Sequence, residues 1–349
     1  MRLVVSILLL ALGSVVSPAV AQPLPTYDLS ELERAIAEGE LGKIAALAIE
    51  QGGETVYRKR FDGRESGAPV DIKSAGKSIT ALAVGAAIED GALAGREVAV
   101  WPYLGSARGE PFDAITVADL LAMASALDCD DRQRRSPGQE ERMYRTRDWR
   151  AFALALPARE FRRGDDGSGP FSYCTAGVFL LGQVVEKATG ERFDRYVQRR
   201  LFDPLEIDGV EWRTSPSGEI QSGGQLTISD EALLKIGRLV LDKGRWQGAQ
   251  LLEAERIGDM LTPRHRLADN TFYGDLWWAT PLKAQDGQFT GSWMMKGNGG
   301  NIVAILPSHD AVLVVQARNY NQRDAERHAF TALWAMLGSL EPVAPAIAE

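Results

Sequence analysis

Basic residues are in deficit in this 349-residue chain: 39 Lys and Arg face 47 Asp and Glu, for a net charge of −8. That balance disfavours nucleic acid as a partner. Internal repeats and low-complexity tracts are absent, and past the first 21 residues no apolar run is long enough to span a bilayer. Histidine occurs three times, as His265, His309 and His328, and none accompanies the acidic run from Asp128 to Asp131. Arginines follow that run directly, so a solvated, turn-rich loop is expected there and no metal site. Cysteine is confined to Cys129 and Cys174. The chain as a whole is 45% hydrophobic and 25% charged, the make-up of a globular protein with a large core.

At the start of the chain, Arg2 precedes an apolar stretch from Leu3 to Leu12, and Ala19-Val20-Ala21 supplies small residues for cleavage before Gln22. Residues 1–21 read as a secretory signal peptide, too short in their apolar part for a membrane anchor. No cysteine follows the cleavage site, so a lipid anchor is not indicated either. The expected product is a soluble periplasmic or secreted protein, with no membrane anchor after cleavage. Two cysteines in an exported chain suggest one disulfide, Cys129 to Cys174, with two free buried thiols as the alternative.

The stretch Asp71-Ile72-Lys73-Ser74-Ala75-Gly76-Lys77-Ser78-Ile79-Thr80 opens an apolar run of small residues that stops at Asp90-Gly91. This pattern predicts a helix that is apolar nearly all round and therefore buried, with a glycine at its end. Ser74 in its first turn would lie where unpaired N–H groups and the helix dipole favour negative charge. Lys77, three residues on, shares its face. Desolvation favours the neutral amine, the form that accepts a hydroxyl proton, and Lys77 is the candidate acceptor. From 19 serines and 9 lysines, chance alone supplies about half of one Ser-x-x-Lys match. The position of this match, at the head of a buried helix where a lysine is otherwise hard to place, is what gives it weight.

Two further motifs follow. Gly169-Pro170-Phe171-Ser172-Tyr173-Cys174 leads into a second apolar helix, with Tyr173 at its entrance as a candidate general base or proton shuttle; the alternative is a tyrosine that packs the helix start. Lys296-Gly297-Asn298-Gly299-Gly300-Asn301 introduces a strand, and its glycines would let a substrate approach free backbone N–H groups; the alternative is an ordinary glycine turn. Strands are predicted near both ends, a hairpin over residues 42–61 and several segments after Leu276, with helices between them, including one from Thr116 to Ala126. The fold class is therefore α/β in the α+β sense: a mostly antiparallel sheet flanked by helices and interrupted by a large helical insertion. Residues 22–349 form one domain, its α/β part about 22–91 and 265–349 and its mainly helical part about 92–264.

In this order the Ser-x-x-Lys helix, the tyrosine motif and the glycine-rich strand resemble the signature elements of the serine β-lactamase and penicillin-binding-protein superfamily. The likeness is nearest to the class C β-lactamase and esterase branch, which includes 6-aminohexanoate oligomer hydrolases. It extends to Gly223-Gly224-Gln225-Leu226, Asp242-Lys243-Gly244 and Tyr273-Gly274-Asp275-Leu276-Trp277-Trp278. The resemblance implies Ser74 as acylated nucleophile, Lys77 as its proton acceptor and Tyr173 as the group that protonates the leaving group and later activates water. It also implies an oxyanion hole from the N–H groups of Ser74 and Asn301, and neither cofactor nor metal. The histidines then need no catalytic role.

The chain departs from the family in two places. Tyr-x-Asn becomes Tyr173-Cys174-Thr175, which puts a short hydroxyl where an amide would stand, and the Lys-Thr-Gly strand becomes Asn298-Gly299-Gly300. Lys296, two residues earlier on the same strand face, is an uncertain substitute for the lost cation. The expected activity is hydrolysis of a small ester or amide, with weak or no β-lactamase activity. The alternatives are a slowly acylating penicillin-binding-like receptor and a D-alanyl peptidase acting on cell-wall peptides. Trp277, Trp278 and Trp293 either line an apolar acyl pocket or belong to the core. No oligomeric state is assigned.

Overall fold

The computed structural model of the protein describes residues 28–105, 108–165, 167–267, 270–283 and 289–343; the expected leader, residues 1–21, lies outside them. Its main sheet has eight strands: β1 (Ile44–Gln51), β2 (Glu54–Arg60), β3 (His265–Arg266), β4 (Phe272–Tyr273), β5 (Trp278–Ala279), β6 (Trp293–Gly297), β7 (Asn301–Leu306) and β8 (Ala311–Ala317). In space they run β2-β1-β8-β7-β6-β5-β4-β3, every neighbour antiparallel. The N-terminal hairpin thus joins the C-terminal strands through β1 and β8, with Ile49 opposite Leu313.

The helices that position the site are α1 (Ser30–Ala37), α2 (Lys77–Glu89), α3 (Val117–Leu121), α4 (Glu140–Tyr144), α5 (Thr175–Thr189), α6 (Asp230–Leu241) and α7 (Ala325–Gly338). Strands β7 and β8 are buried along their whole length because both sheet faces are covered. Leu313 and Val315 point to the face covered by Leu32 and Ile36 of α1 and Leu333 of α7. Val312 and Val314 point the other way, into a core shared with α2, α5 and α6. Helix α6 lies close to β8 there, since a Cβ on Gly237 would stand 2.4 Å from Val312 Cγ1.

Helix α2 is buried from Lys77 to Ala87 and is followed by Gly91 at φ +71°. The helix expected from Thr116 to Ala126 is shorter. A capping box between Thr116 and Asp119 starts α3, and the chain leaves helical geometry at Met123, where φ is +57°. That turn sends the Met123 carbonyl to the N–H of Ser172, at 2.7 Å. The lost helical turn becomes a wall for the tyrosine segment.

Candidate active site

Ser74 lies in a 3₁₀ turn, Lys73–Gly76, that runs directly into α2 at Lys77. Lys77 is 1% exposed, and its Nζ donates to Ser74 Oγ at 2.9 Å. The turn is held in an uncommon backbone state: Lys73 has φ +53°, and its carbonyl accepts the N–H of Gln225, itself at φ +56°, at 3.1 Å. Glycine backbones press on it from two sides. A Cβ on Gly224 would lie 3.1 Å from Ser74 Cα, and one on Gly297 would lie 1.9 Å from the Ile72 carbonyl oxygen. Strand β5 reaches β6 only at Trp293 and Met294. The rest of β6 turns its free edge towards the serine.

Tyr173 stands in an extended segment just before α5, with Lys77 Nζ 5.1 Å from its ring centroid. Its ring lies 5.9 Å from that of Trp278. Cys129 and Cys174 are joined in a disulfide with their Cα atoms 5.3 Å apart. Beside that bond the Asp131 N–H donates to the Tyr173 carbonyl at 2.9 Å, and Ser172 Oγ donates to the Cys129 carbonyl at 2.7 Å.

Ser74 and Tyr173 open onto one cavity of about 390 Å³, whose walls include Asp131, Glu140, Trp278 and Lys296. The acidic loop is therefore not simply solvated. Asp131 turns inward, accepting the N–H groups of Thr175 (2.7 Å) and Glu140 (2.8 Å) instead of pairing with the arginines that follow it. Burial raises its pKa, and the neighbouring Glu140 carboxylate adds to the rise, while the positive charge of Lys77 opposes it. The Thr175 hydroxyl that replaces the family's amide donates to Glu140 Oε2 at 3.1 Å, as does Tyr144 at 3.0 Å. A carboxylate thus stands near the place where the resemblance puts an amide. The signal for Asp131 was its place two residues after Cys129, because a bond from Cys129 to Cys174 carries it to the tyrosine.

The glycine-rich stretch does introduce a strand, β7, but the place expected for Asn301 needs correction. Asn298-Gly299-Gly300 is the turn between β6 and β7, with both glycines at positive φ (+88° and +89°), and the strand beside Ser74 is β6 itself. Asn301 is 1% exposed, pairs with Gly297 as the last β6–β7 rung, and uses its side chain on the Asn298 carbonyl (3.0 Å) and the Ala317 N–H (3.1 Å). It lies behind the turn, and the residues that reach the cavity are Gly297, Asn298, Gly299 and Gly300. Lys296 does reach the cavity wall, bound to Glu326 and 4.8 Å from the Trp278 ring centroid. Of the three tryptophans only Trp278 lines the cavity; Trp277 is fully buried and Trp293 packs against the core. None of the histidines lines it.

Residues 36–335 match the family model described as Beta-lactamase. The chain belongs to the β-lactamase family. Among curated relatives, the 6-aminohexanoate-dimer hydrolase of Paenarthrobacter ureafaciens is 26% identical over 275 residues, 74% of this chain and 66% of that protein. The chain thus spans just under two thirds of the relative's length. Solved structures of the same fold include a D-stereospecific amidohydrolase from Streptomyces sp. (TM-score 0.66, 18% identity, 87% of this chain and 98% of that one). A class C β-lactamase from Rhodobacter sphaeroides has a TM-score of 0.62 at 17% identity, covering 88% and 97% of the two chains.

Proposed function

We propose that this member of the β-lactamase family is an exported serine hydrolase that cleaves a small ester or amide through an acyl-enzyme on Ser74. The observation that carries the reading is the contact of the buried Lys77 amine with the Ser74 hydroxyl at 2.9 Å. Lys77 Nζ takes the hydroxyl proton as Ser74 Oγ adds to the substrate carbonyl. The oxyanion is held by the N–H of Ser74 and by that of Asn298, the residue that follows the closely packed Gly297, in place of the Asn301 N–H that the resemblance implies. Tyr173 gives a proton to the leaving group, which departs as alcohol or amine. Tyr173 then takes a proton from water, whose oxygen attacks the acyl carbonyl, and Lys77 returns its proton to Ser74 Oγ as the acyl group leaves.

Two of the relatives carry names of amide hydrolases, a dimer hydrolase and an amidohydrolase, and this supports an acyl group joined to nitrogen or oxygen outside a β-lactam ring. The Lys296 ammonium is bound to Glu326, so it is a poor anchor for a penicillin carboxylate. The test is hydrolysis of a short-chain nitrophenyl ester beside a chromogenic cephalosporin, by the wild type and by Ser74→Ala. Ester turnover that vanishes in the variant, with little cephalosporin cleavage, is the expected result. Turnover that survives Ser74→Ala would overturn the nucleophile, and equal cephalosporin turnover would overturn the substrate class.

A further inference from the structure

We propose that the Cys129–Cys174 disulfide and the Asp131 carboxylate form a clamp that positions Tyr173 for proton transfer to the leaving group. This rests on the reading of Tyr173 given above. Residues 171–174 form neither helix nor strand, so the segment takes its position from bonds to other parts of the chain. On one side is Met123, whose carbonyl holds the Ser172 N–H and whose left-handed backbone aims it there. On the other side is the loop from Cys129 to Asp131. That loop binds residues 172, 173, 174 and 175 in turn: a carbonyl for the Ser172 hydroxyl, an N–H for the Tyr173 carbonyl, a sulfur for Cys174 and a carboxylate for the Thr175 N–H.

Asp131 does more than cross-link two segments. Its second oxygen accepts the N–H of Glu140 at 2.8 Å, so the carboxylate joins the start of α5 to the start of α4, while the backbone N–H of the same residue holds the Tyr173 carbonyl. Both cysteines are buried, at 1% and 2% exposure, and their bond closes a separation of 45 residues. Without it, the loop is tied to the tyrosine by hydrogen bonds alone. A misplacement of about 1 Å in a reacting group costs on the order of 100-fold in rate. Asp131 and the cystine are positioning groups, acting through Tyr173.

The chemistry provides a readout that general loosening would not move. A nitrophenolate leaves without a proton, whereas an ethoxide or an anilide nitrogen needs one from Tyr173. The experiment measures kcat/KM, which reports acylation, for a nitrophenyl ester and an ethyl ester of the same acyl group. The proteins are the wild type, Tyr173→Phe, the double variant Cys129→Ala/Cys174→Ala, and Asp131→Asn. Asparagine keeps the shape of Asp131 but turns an NH2 towards one of the two N–H donors.

The expected result is that the double variant and Asp131→Asn each lose about tenfold or more on the ethyl ester beyond any loss on the nitrophenyl ester, as Tyr173→Phe does more strongly. Equal losses on both esters, or no loss in either variant, would overturn the clamp. If the double variant does not fold, Asp131→Asn decides by the same ratio. Ethyl ester hydrolysis that survives Ser74→Ala would sink the reading of the site itself, and the clamp with it. That control separates the two failures.

Discussion

Lys77 and Arg238 are both basic side chains withdrawn from water, 1% and 7% exposed, and they are held in opposite ways. Arg238, on α6, is surrounded by acids: Glu50 of β1 bonds its Nε at 2.7 Å, and Asp310 bonds Nη1 at 2.7 Å. The carboxylates keep it charged and raise its pKa against the effect of burial, and the cluster ties α6 to the sheet. Among the described residues no carboxylate lies within ion-pair distance of Lys77 Nζ, which instead meets the Ser74 hydroxyl. A buried cation with its counter-ions in contact is a structural tie. A buried amine facing a hydroxyl has the geometry that the proposed proton transfer requires.

The largest effect expected from this contrast is on catalysis. Lys77→Met removes the proton acceptor and should lower ester hydrolysis roughly 1,000-fold, while thermal unfolding stays near the wild type because an apolar side chain replaces a buried amine. A variant that keeps its rate would reduce Lys77 to a packing residue. Arg238→Ala should do the reverse. Glu50, 5% exposed, would remain buried without its partner, and breaking such a cluster costs about 3 to 5 kcal/mol. Urea unfolding should register that loss while turnover per folded molecule is retained; little change in stability would erase the distinction between the two side chains.

The smallest effect concerns Asp131, whose acidity sharpens the contrast at the site itself. Its pKa is raised in the folded state, so over the interval above the ordinary carboxylate range the folded chain holds a proton that the unfolded chain has lost. This group therefore favours folding at low pH, and that contribution is lost as pH rises through the raised value, by about 2 kcal/mol between about pH 4 and pH 7. Asp131→Asn should flatten that part of the stability profile, as followed by urea midpoints across the range. An unchanged slope in the variant would place the titration elsewhere.

Much of the frame was open to local reading. The hairpin, the strands at both ends and the buried helix after Ser74 follow from alternation, from turn residues and from an apolar run of small side chains. Lys77 was legible because three residues of helix or 3₁₀ turn bring it back over Ser74. The errors were of another kind. The Thr116 helix is shorter than predicted: Leu121 and Ala124 continue its apolar pattern, yet the chain turns at Met123, where its carbonyl meets the Ser172 N–H. The resemblance implies Asn301 in the oxyanion hole, yet the positive φ of Gly299 and Gly300 folds the glycines into a turn ahead of β7 and leaves Asn301 buried behind it. The acidic loop looked solvated because its arginines are adjacent in sequence, yet the Asp131 carboxylate finds backbone N–H groups far along the chain.

By itself, then, the sequence determined the pairing of Ser74 with the Lys77 amine, and the strands and helices that carry them, since these depend on neighbours within a few residues. Only the tertiary structure decided that Gly297 and Gly224 clamp the Ser74 turn, that Asp131 and Glu140 wall the cavity, and that Asn298 rather than Asn301 borders it. The physical reason is separation along the chain: those contacts form where packing closes long loops, and no periodicity within a segment records which distant backbone will meet it.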